Sequence, residues 1–210
     1  MKIKIIVASI ALLGVTSSAF AQGYLGAGVA GAHMTVPGLN TTVSGFAVTG
    51  SGDKTNDTGF KLFGGYNFTP NWGVELAYID FGNSYSMQTN IAGTPVGISG
   101  AKASGWNLAG VGTLPLSKEF SIFGKLGWAW NHSDGGTAID GVTGTRVTVG
   151  TYSRSYGMAG VGANFIFTKN WAARLEYEDF GRVTSDDVWG TGSSGAVKAT
   201  AWSLSAKYSF

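Results

Sequence analysis

His33 and His132 are the only histidines, and the chain has no cysteine. Imidazole is the commonest general base and metal ligand near neutral pH, so either chemistry would have to run through these two positions. His132-Ser133-Asp134 sets the three residue types of a nucleophilic triad side by side. A triad, however, needs the histidine to reach a hydroxyl and a carboxylate in space, and three neighbours near the end of one loop do not supply that. Two separated histidines make no metal site either. Gly26-Ala27-Gly28-Val29-Ala30-Gly31 fits G-x-G-x-x-G. No strand comes before it in the mature chain and no helix after it, so the context that cradles a phosphate is missing. Those glycines read as small positions on the inward side of a first strand. No catalytic residue, metal ligand or cofactor is expected.

A second set of residues carries charge. Phe68-Thr69-Pro70-Asn71-Trp72-Gly73-Val74-Glu75-Leu76-Ala77-Tyr78-Ile79-Asp80-Phe81-Gly82 recurs, little changed, at 167–181 as Phe167-Thr168-Lys169-Asn170-Trp171-Ala172-Ala173-Arg174-Leu175-Glu176-Tyr177-Glu178-Asp179-Phe180-Gly181. Each copy is a tight polar turn followed by apolar residues on every second position, the period of a strand. Glu75 in one copy matches Arg174 in the other, both on the parity opposite the apolar residues. Equivalent strands with opposite charges could meet as an ion pair, with Lys61, Lys125 and Glu176 as further partners.

The elements that must position these charges begin after a leader. Lys2 and Lys4, an apolar run from Ile5 to Val15, and Ala19-Phe20-Ala21 have the form of a secretion signal spanning 1–21, leaving one domain at 22–210. The apolar run is shorter than the ~20 residues of a transmembrane helix. The leader holds two lysines and no acid, so of 14 Lys and Arg and 12 Asp and Glu the mature chain keeps equal numbers of each. It has no basic tract of the kind that neutralises phosphates, which sets nucleic acid aside. The absence of cysteine excludes a disulfide framework. Asn40-Thr41-Thr42 and Asn56-Asp57-Thr58 are sequons only in a eukaryotic secretory setting. With 34 glycines, 13% aromatic and only 12% charged residues, the composition suits strands in a curved sheet.

Eight alternating segments follow, near 23–33, 58–68, 72–82, 101–114, 120–132, 150–167, 171–181 and 198–210. Short turns join the second to the third, the fourth to the fifth and the sixth to the seventh. Long polar stretches at 34–57, 83–100, 133–149 and 182–197 make the other connections. That alternation is the pattern of an all-β, eight-stranded antiparallel up-and-down transmembrane β-barrel, and the even count puts both termini at the short-turn end. The polar parity carries Lys61, Glu75, Asn107, Lys125, Arg154, Asn164, Arg174, Glu176, Glu178, Ser203, Ser205 and Lys207 among many Gly and Ala. The bore of eight strands is just wide enough for side chains to fill it. Small and charged residues are therefore expected inside, and the bulky aromatic parity in lipid. An acyl-transferring enzyme would need an apolar cavity, which a charged interior does not offer. Trp72 and Trp171 fall by short turns and Trp106, Trp128, Trp130 and Trp202 toward the long connections, forming two interfacial girdles.

At this point the chain resembles the transmembrane domain of outer-membrane protein A (OmpA) and related small Gram-negative barrels. The resemblance rests on Trp72 and Trp171, Val74-Glu75-Leu76-Ala77-Tyr78, Phe123-Gly124-Lys125-Leu126-Gly127, Arg174-Leu175-Glu176-Tyr177 and the final Tyr208-Ser209-Phe210. It implies a Gram-negative outer-membrane location, contact with outer-membrane lipid and lipopolysaccharide, and an interior charge network at Lys61, Glu75, Lys125, Arg174 and Glu176. It implies periplasmic chaperones and the barrel-assembly machinery as partners, with Tyr208 and Phe210 as the assembly signal. The family's peptidoglycan-binding domain is not expected here, because the chain ends at the eighth segment. The expected role is non-enzymatic: bracing the envelope and displaying the four long connections to surface ligands. A narrow or gated low-conductance pore is the alternative, and a soluble lipocalin-like carrier would need an apolar interior.

Overall fold

The computed structural model describes residues 22–35, 39–43, 46–52, 55–82, 85–91, 94–134, 137–140, 146–148, 151–182 and 197–210. The leader expected at 1–21 and the connection at 183–196 lie outside the described residues. The strands are β1 (Gln22–Thr35), β2 (Leu39–Val43), β3 (Phe46–Gly52), β4 (Thr55–Asn67), β5 (Trp72–Asp80), β6 (Tyr85–Ile91), β7 (Thr94–Pro115), β8 (Phe120–Asp134), β9 (Thr137–Asp140), β10 (Arg146–Thr148), β11 (Thr151–Ile166), β12 (Trp171–Arg182) and β13 (Lys198–Ser209).

Eight of these close a barrel in the order β1, β4, β5, β7, β8, β11, β12, β13, with every neighbour antiparallel. Closure is made by β1 on β13, paired from Tyr24↔Ser209 to Thr35↔Lys198. At the seam the Phe210 N–H donates to the Gly23 carbonyl at 3.0 Å. Both described ends of the chain thus sit at the short-turn end.

The stretches at 34–57, 83–100 and 133–149, expected as loops, contain five further strands. With the start of β7 they form a second sheet in the order β2, β3, β6, β7, β9, β10. β2, β3 and β6 mix Thr, Val or Ile with Gly, Ser or Asn, and β9 and β10 contribute further Thr, Ile and Val. The β-branched residues favour pairing, while the turn-forming residues between them masked the period. β7 accordingly starts at Thr94, where the apolar alternation alone placed it near 101.

The three short turns share one geometry. Phe68 donates to the Trp72 carbonyl (3.1 Å), Leu116 to that of Phe120 (2.9 Å) and Phe167 to that of Trp171 (3.0 Å). In each turn a hydroxyl at the second position accepts from the backbone of the strand that follows. Thr69 Oγ1 accepts from Trp72 N (2.9 Å), Ser117 Oγ from Phe120 N (3.0 Å) and Thr168 Oγ1 from Trp171 N (3.1 Å). The same three hydroxyls also accept from Asn71, Glu119 and Asn170. A Ser or Thr there supplies an acceptor that the tight turn would otherwise lack.

The pleat sorts the side chains. Leu76, Leu126 and Phe165 face outward, Leu126 with 74% of its surface exposed, while Lys125 is 2% exposed. An exposed apolar surface of this extent has no place in water and fits hydrocarbon. Trp72, Trp106, Trp128, Trp130, Trp171 and Trp202 are all on the outer surface. The repeat sets two equivalent cross-strand aromatic pairs, Tyr78–Trp106 and Tyr177–Trp202, with ring centroids 5.1 and 4.6 Å apart. Trp171–Tyr208 (5.0 Å) and Tyr208–Phe210 (5.4 Å) stack at the opposite rim.

Thr168→Val keeps the shape of the turn residue and removes both acceptor bonds. It is expected to lower the unfolding free energy by about 1–2 kcal/mol, read from urea titration of the protein folded in lipid vesicles.

Candidate functional site

In the ring of eight, β5 and β12 are four strands apart, on opposite walls. Each turns its odd or even set inward: Gly73, Glu75, Ala77, Ile79 and Phe81 from β5 and its end, and Ala172, Arg174, Glu176, Glu178 and Phe180 from β12. The bore is narrow enough for the two sets to touch. Arg174 Nη1 donates to Glu75 Oε2 at 2.5 Å.

Around this contact six charges form a closed network. Lys61 from β4 donates to Glu176 Oε2 (2.6 Å) and Glu178 Oε2 (2.5 Å). Lys125 from β8 donates to Glu75 Oε1 (3.0 Å) and Glu178 Oε1 (2.6 Å), and also meets Glu176. An ammonium has three donors, and Lys125 faces three carboxylates. Glu75 additionally accepts from the Tyr24 hydroxyl at 3.0 Å. None of the six is more than 2% exposed. The set holds three cations and three carboxylates, so it is neutral as a whole. That balance is what offsets the large cost of removing each ion from water.

Small residues beside each charge make the room. Lys61 pairs in register with Gly28, Glu75 with Gly65 and Ala109, Lys125 with Gly160, and Glu176 with Gly162 and Ser203. A Cβ on Gly160 would stand 3.0 Å from Glu178 Cγ. Of the three first-strand glycines expected inside, Gly26 and Gly28 face inward, where a Cβ on Gly26 would stand 2.2 Å from the Phe63 ring, while Gly31 lies on the opposite parity and is exposed.

All five residues expected in the network, Lys61, Glu75, Lys125, Arg174 and Glu176, meet here. Glu178, read from sequence only as an inward residue, bridges both lysines. Aromatic side chains, expected only on the lipid side, also lie inside. The Arg174 guanidinium is sandwiched between Phe123 (3.9 Å to the ring centroid) and Phe63 (4.8 Å). Flat rings fit because they lie over glycines: a Cβ on Gly162 would stand 2.4 Å from Phe123, and one on Gly65 2.3 Å from Tyr24. Such cation–π contacts contribute about 0.5–2 kcal/mol each.

Toward the long connections the interior changes character. Ala30, Ala32, Met34, Ile79, Phe81, Ala129, Met158, Phe180, Val197, Ala199 and Ala201 pack as one apolar cluster. Phe81 and Phe180, equivalent in the repeat, meet edge to face with centroids 5.1 Å apart. The residues after them turn the chain in the same way. Gly82 (φ +82°) and Gly181 (φ +65°) hold a left-handed conformation that suits glycine, and each donates to an aspartate two residues earlier, Asp80 or Asp179, at 2.8 Å. The interior of small and charged residues expected from the polar parity is therefore corrected to two layers, one charged and one apolar with large side chains. The apolar layer escaped detection because Ala and Gly on the inward parity look alike whether they border charges or rings. Arg154, expected inside, shares the inward parity but is exposed, because its end of β11 lies toward the long connections.

The histidine constellation is rearranged. His132, Ser133 and Asp134 lie on β8 and not in a loop, and Ser133 is buried inward, away from the other two. His132 Nδ1 instead meets Ser153 Oγ across the sheet at 2.9 Å, and His132 Nε2 lies 3.6 Å from Asp134 Oδ1. The second distance is too long for the hydrogen bond that orients a triad histidine, and both side chains are at least half exposed. His33 Nδ1 meets Asn56 Oδ1 at 2.7 Å. Among the described residues no group of three or more metal-ligating side chains is present.

Glu75→Gln and Arg174→Met are each expected to cost about 3–5 kcal/mol by stranding the remaining charges. The double variant is expected to fall short of their sum by about 1–3 kcal/mol. Urea unfolding in lipid vesicles measures the cycle, and strict additivity would deny the pair a shared contribution.

A family model for the OmpA-like transmembrane domain matches residues 19–210. Solved structures of the same fold include Ail of Yersinia pestis (18% identical, covering 91% of this chain and 99% of that one, TM-score 0.52). OprG of Pseudomonas aeruginosa is 13% identical over 91% of this chain and 96% of that one, with a TM-score of 0.64. Neisserial surface protein A is 11% identical over 90% and 97%, with a TM-score of 0.51. No curated protein sequence matches the chain. At these identities the structural likeness is one of fold, and the family match carries the assignment: the chain belongs to the OmpA-like transmembrane domain family and is a β-barrel of the Gram-negative outer membrane.

Proposed function

We propose that this barrel is a non-enzymatic, closed-bore protein that braces the outer membrane and presents its long connections outside the cell. The observation that carries the reading is the filled interior. A neutral network of six buried charges spans the bore, and the Phe81–Phe180 layer lies in series with it. Wide aqueous channels belong to barrels of ~16 strands; eight strands leave space that side chains can fill. Ion flow would have to displace both layers. The alternative of a narrow or gated pore therefore draws no support from this interior.

The outer sheet of β2, β3, β6, β7, β9 and β10 supports display. It pairs the backbone of Leu39–Val43, Phe46–Gly52, Tyr85–Ile91, Thr137–Asp140 and Arg146–Thr148, which supports a recognition surface of defined shape on a rigid scaffold. Assembly by periplasmic chaperones and the insertion machinery follows from the lipid-facing surface, and Tyr208 and Phe210 form the signal. Both rings lie on the outside of the closing strand or just past it, stacked on each other and on Trp171.

In a planar bilayer the purified mature protein is expected to give no steps above background in 1 M KCl. Reproducible channel openings in wild type would replace display with conduction. Deleting Phe210 is expected to cut the heat-modifiable, folded fraction in outer membranes severalfold, measured by fractionation and gel mobility. An unchanged fraction would count against the assembly signal.

A further inference from the structure

The short-turn mouth contains a cavity of about 180 Å³ that neither the charge network nor the apolar layer fills. Pro70 and Ser117 mark it as opening at the turns, and Arg174 lines it on the network side. At ~30 Å³ per water it has room for roughly six waters. Its charge is one-sided. Arg174 and Lys207 line it and no carboxylate does. The six-charge network is balanced within itself, which makes Lys207 a fourth inward cation. Lys207 pairs in register with the small residues Gly26 and Ala172. Its ammonium lies 4.6 Å from the Tyr24 ring centroid, and among the described residues it forms no ion pair with a carboxylate. Glu119, the acid of the neighbouring turn, is exposed and accepts from Ser117 Oγ at 3.3 Å.

A second observation points to a ligand. Asn164 borders the cavity and is 6% exposed, yet its Oδ1 has no hydrogen-bond partner; its Nδ2 donates to Ser121 Oγ at 3.2 Å. Arg174, 2% exposed, has its Nε 3.7 Å from Glu176 Oε2, an ion-pair distance too long for a hydrogen bond, so this N–H also lacks a hydrogen-bond acceptor. Buried polar atoms are rarely left unmatched, and two of them beside an unbalanced cation call for a polar guest.

We propose that this cavity binds a small oxyanion, a phosphate group, entering from the periplasmic side. Lys207 supplies the charge, and the Ser121 hydroxyl and Arg174 Nε–H donate to phosphate oxygens. The P–OH of a hydrogen phosphate donates to Asn164 Oδ1. Low-dielectric walls strengthen the attraction relative to that of a lysine in open water. The phosphate can be free or carried as a monoester on a lipid headgroup, since only these forms keep the P–OH that Asn164 Oδ1 needs. The inference does not depend on what the outer connections recognise.

The test is NMR of the mature chain in phosphatidylcholine nanodiscs, titrated with inorganic phosphate at constant ionic strength. Saturable shifts are expected at the Asn164 side-chain amide and at the amides of Ser205 and Lys207. Lys207→Gln is expected to weaken binding about tenfold or more. Lys207→Arg, which keeps the charge, and Lys118→Gln and Lys169→Gln at exposed turn positions retain it. Non-saturating shifts in wild type, or an unchanged titration in Lys207→Gln, would overturn the site. Nanodiscs containing phosphatidic acid, a phosphomonoester absent from the phosphatidylcholine background, separate the sources: shifts already present without added phosphate assign the site to the headgroup, and an undisturbed phosphate titration assigns it to the free anion.

Discussion

Hydrocarbon gives a backbone amide nothing to bond to except another backbone group, so a sheet in lipid must have no edge. Here the requirement is met by one antiparallel seam, β1 on β13, running from Tyr24↔Ser209 to Thr35↔Lys198. Once that seam closes, every residue along the membrane-spanning part of the eight strands is assigned to lipid or to the bore. The bore of so few strands is a packed space and not a passage. The distribution of rings, charges and glycines in this protein follows from those two facts.

Inside, the dominant cost is desolvation. A lone buried lysine or glutamate would be too expensive to keep charged, so the ions occur as a balanced set in which Lys125 alone meets three carboxylates. The set also needs space. Gly26, Gly65, Gly160 and Gly162 provide it, because each sits beside a long side chain or a ring that a methyl group would displace. Glycine here is a packing choice, and the high glycine content follows from filling a narrow tube with long charged groups and flat rings.

The internal repeat organises both layers. Matching positions of β5 and β12 stand on opposite walls, so Glu75 finds Arg174, and Phe81 finds Phe180. The two copies diverged in charge at the first pair and stayed alike at the second. Opposite signs attract across the bore, whereas two phenyl rings pack on each other. The Asp-Phe-Gly end of each copy uses the same aspartate-to-glycine hydrogen bond to set the inward ring.

Strand period, the alternation of short turns with long connections, and the parity that separates rings from charges were all legible in the residues. They depend on local geometry, in which neighbours two apart share a face. The strand count, the lipid-facing orientation and five members of the charge network follow from these features alone. Contacts across the bore do not, because they join residues from strands that are distant in sequence. Only the tertiary pairing decided that Glu178 bridges Lys61 and Lys125, that Phe63 and Phe123 enclose Arg174, that Ser153 rather than Ser133 meets His132, and that an apolar cluster lies between the charges and the long connections. The strands within the long connections were hidden for a related reason: they pair with one another and with β7, beyond the apolar alternation that hydrocarbon imposes, so their period carries little hydrophobic contrast.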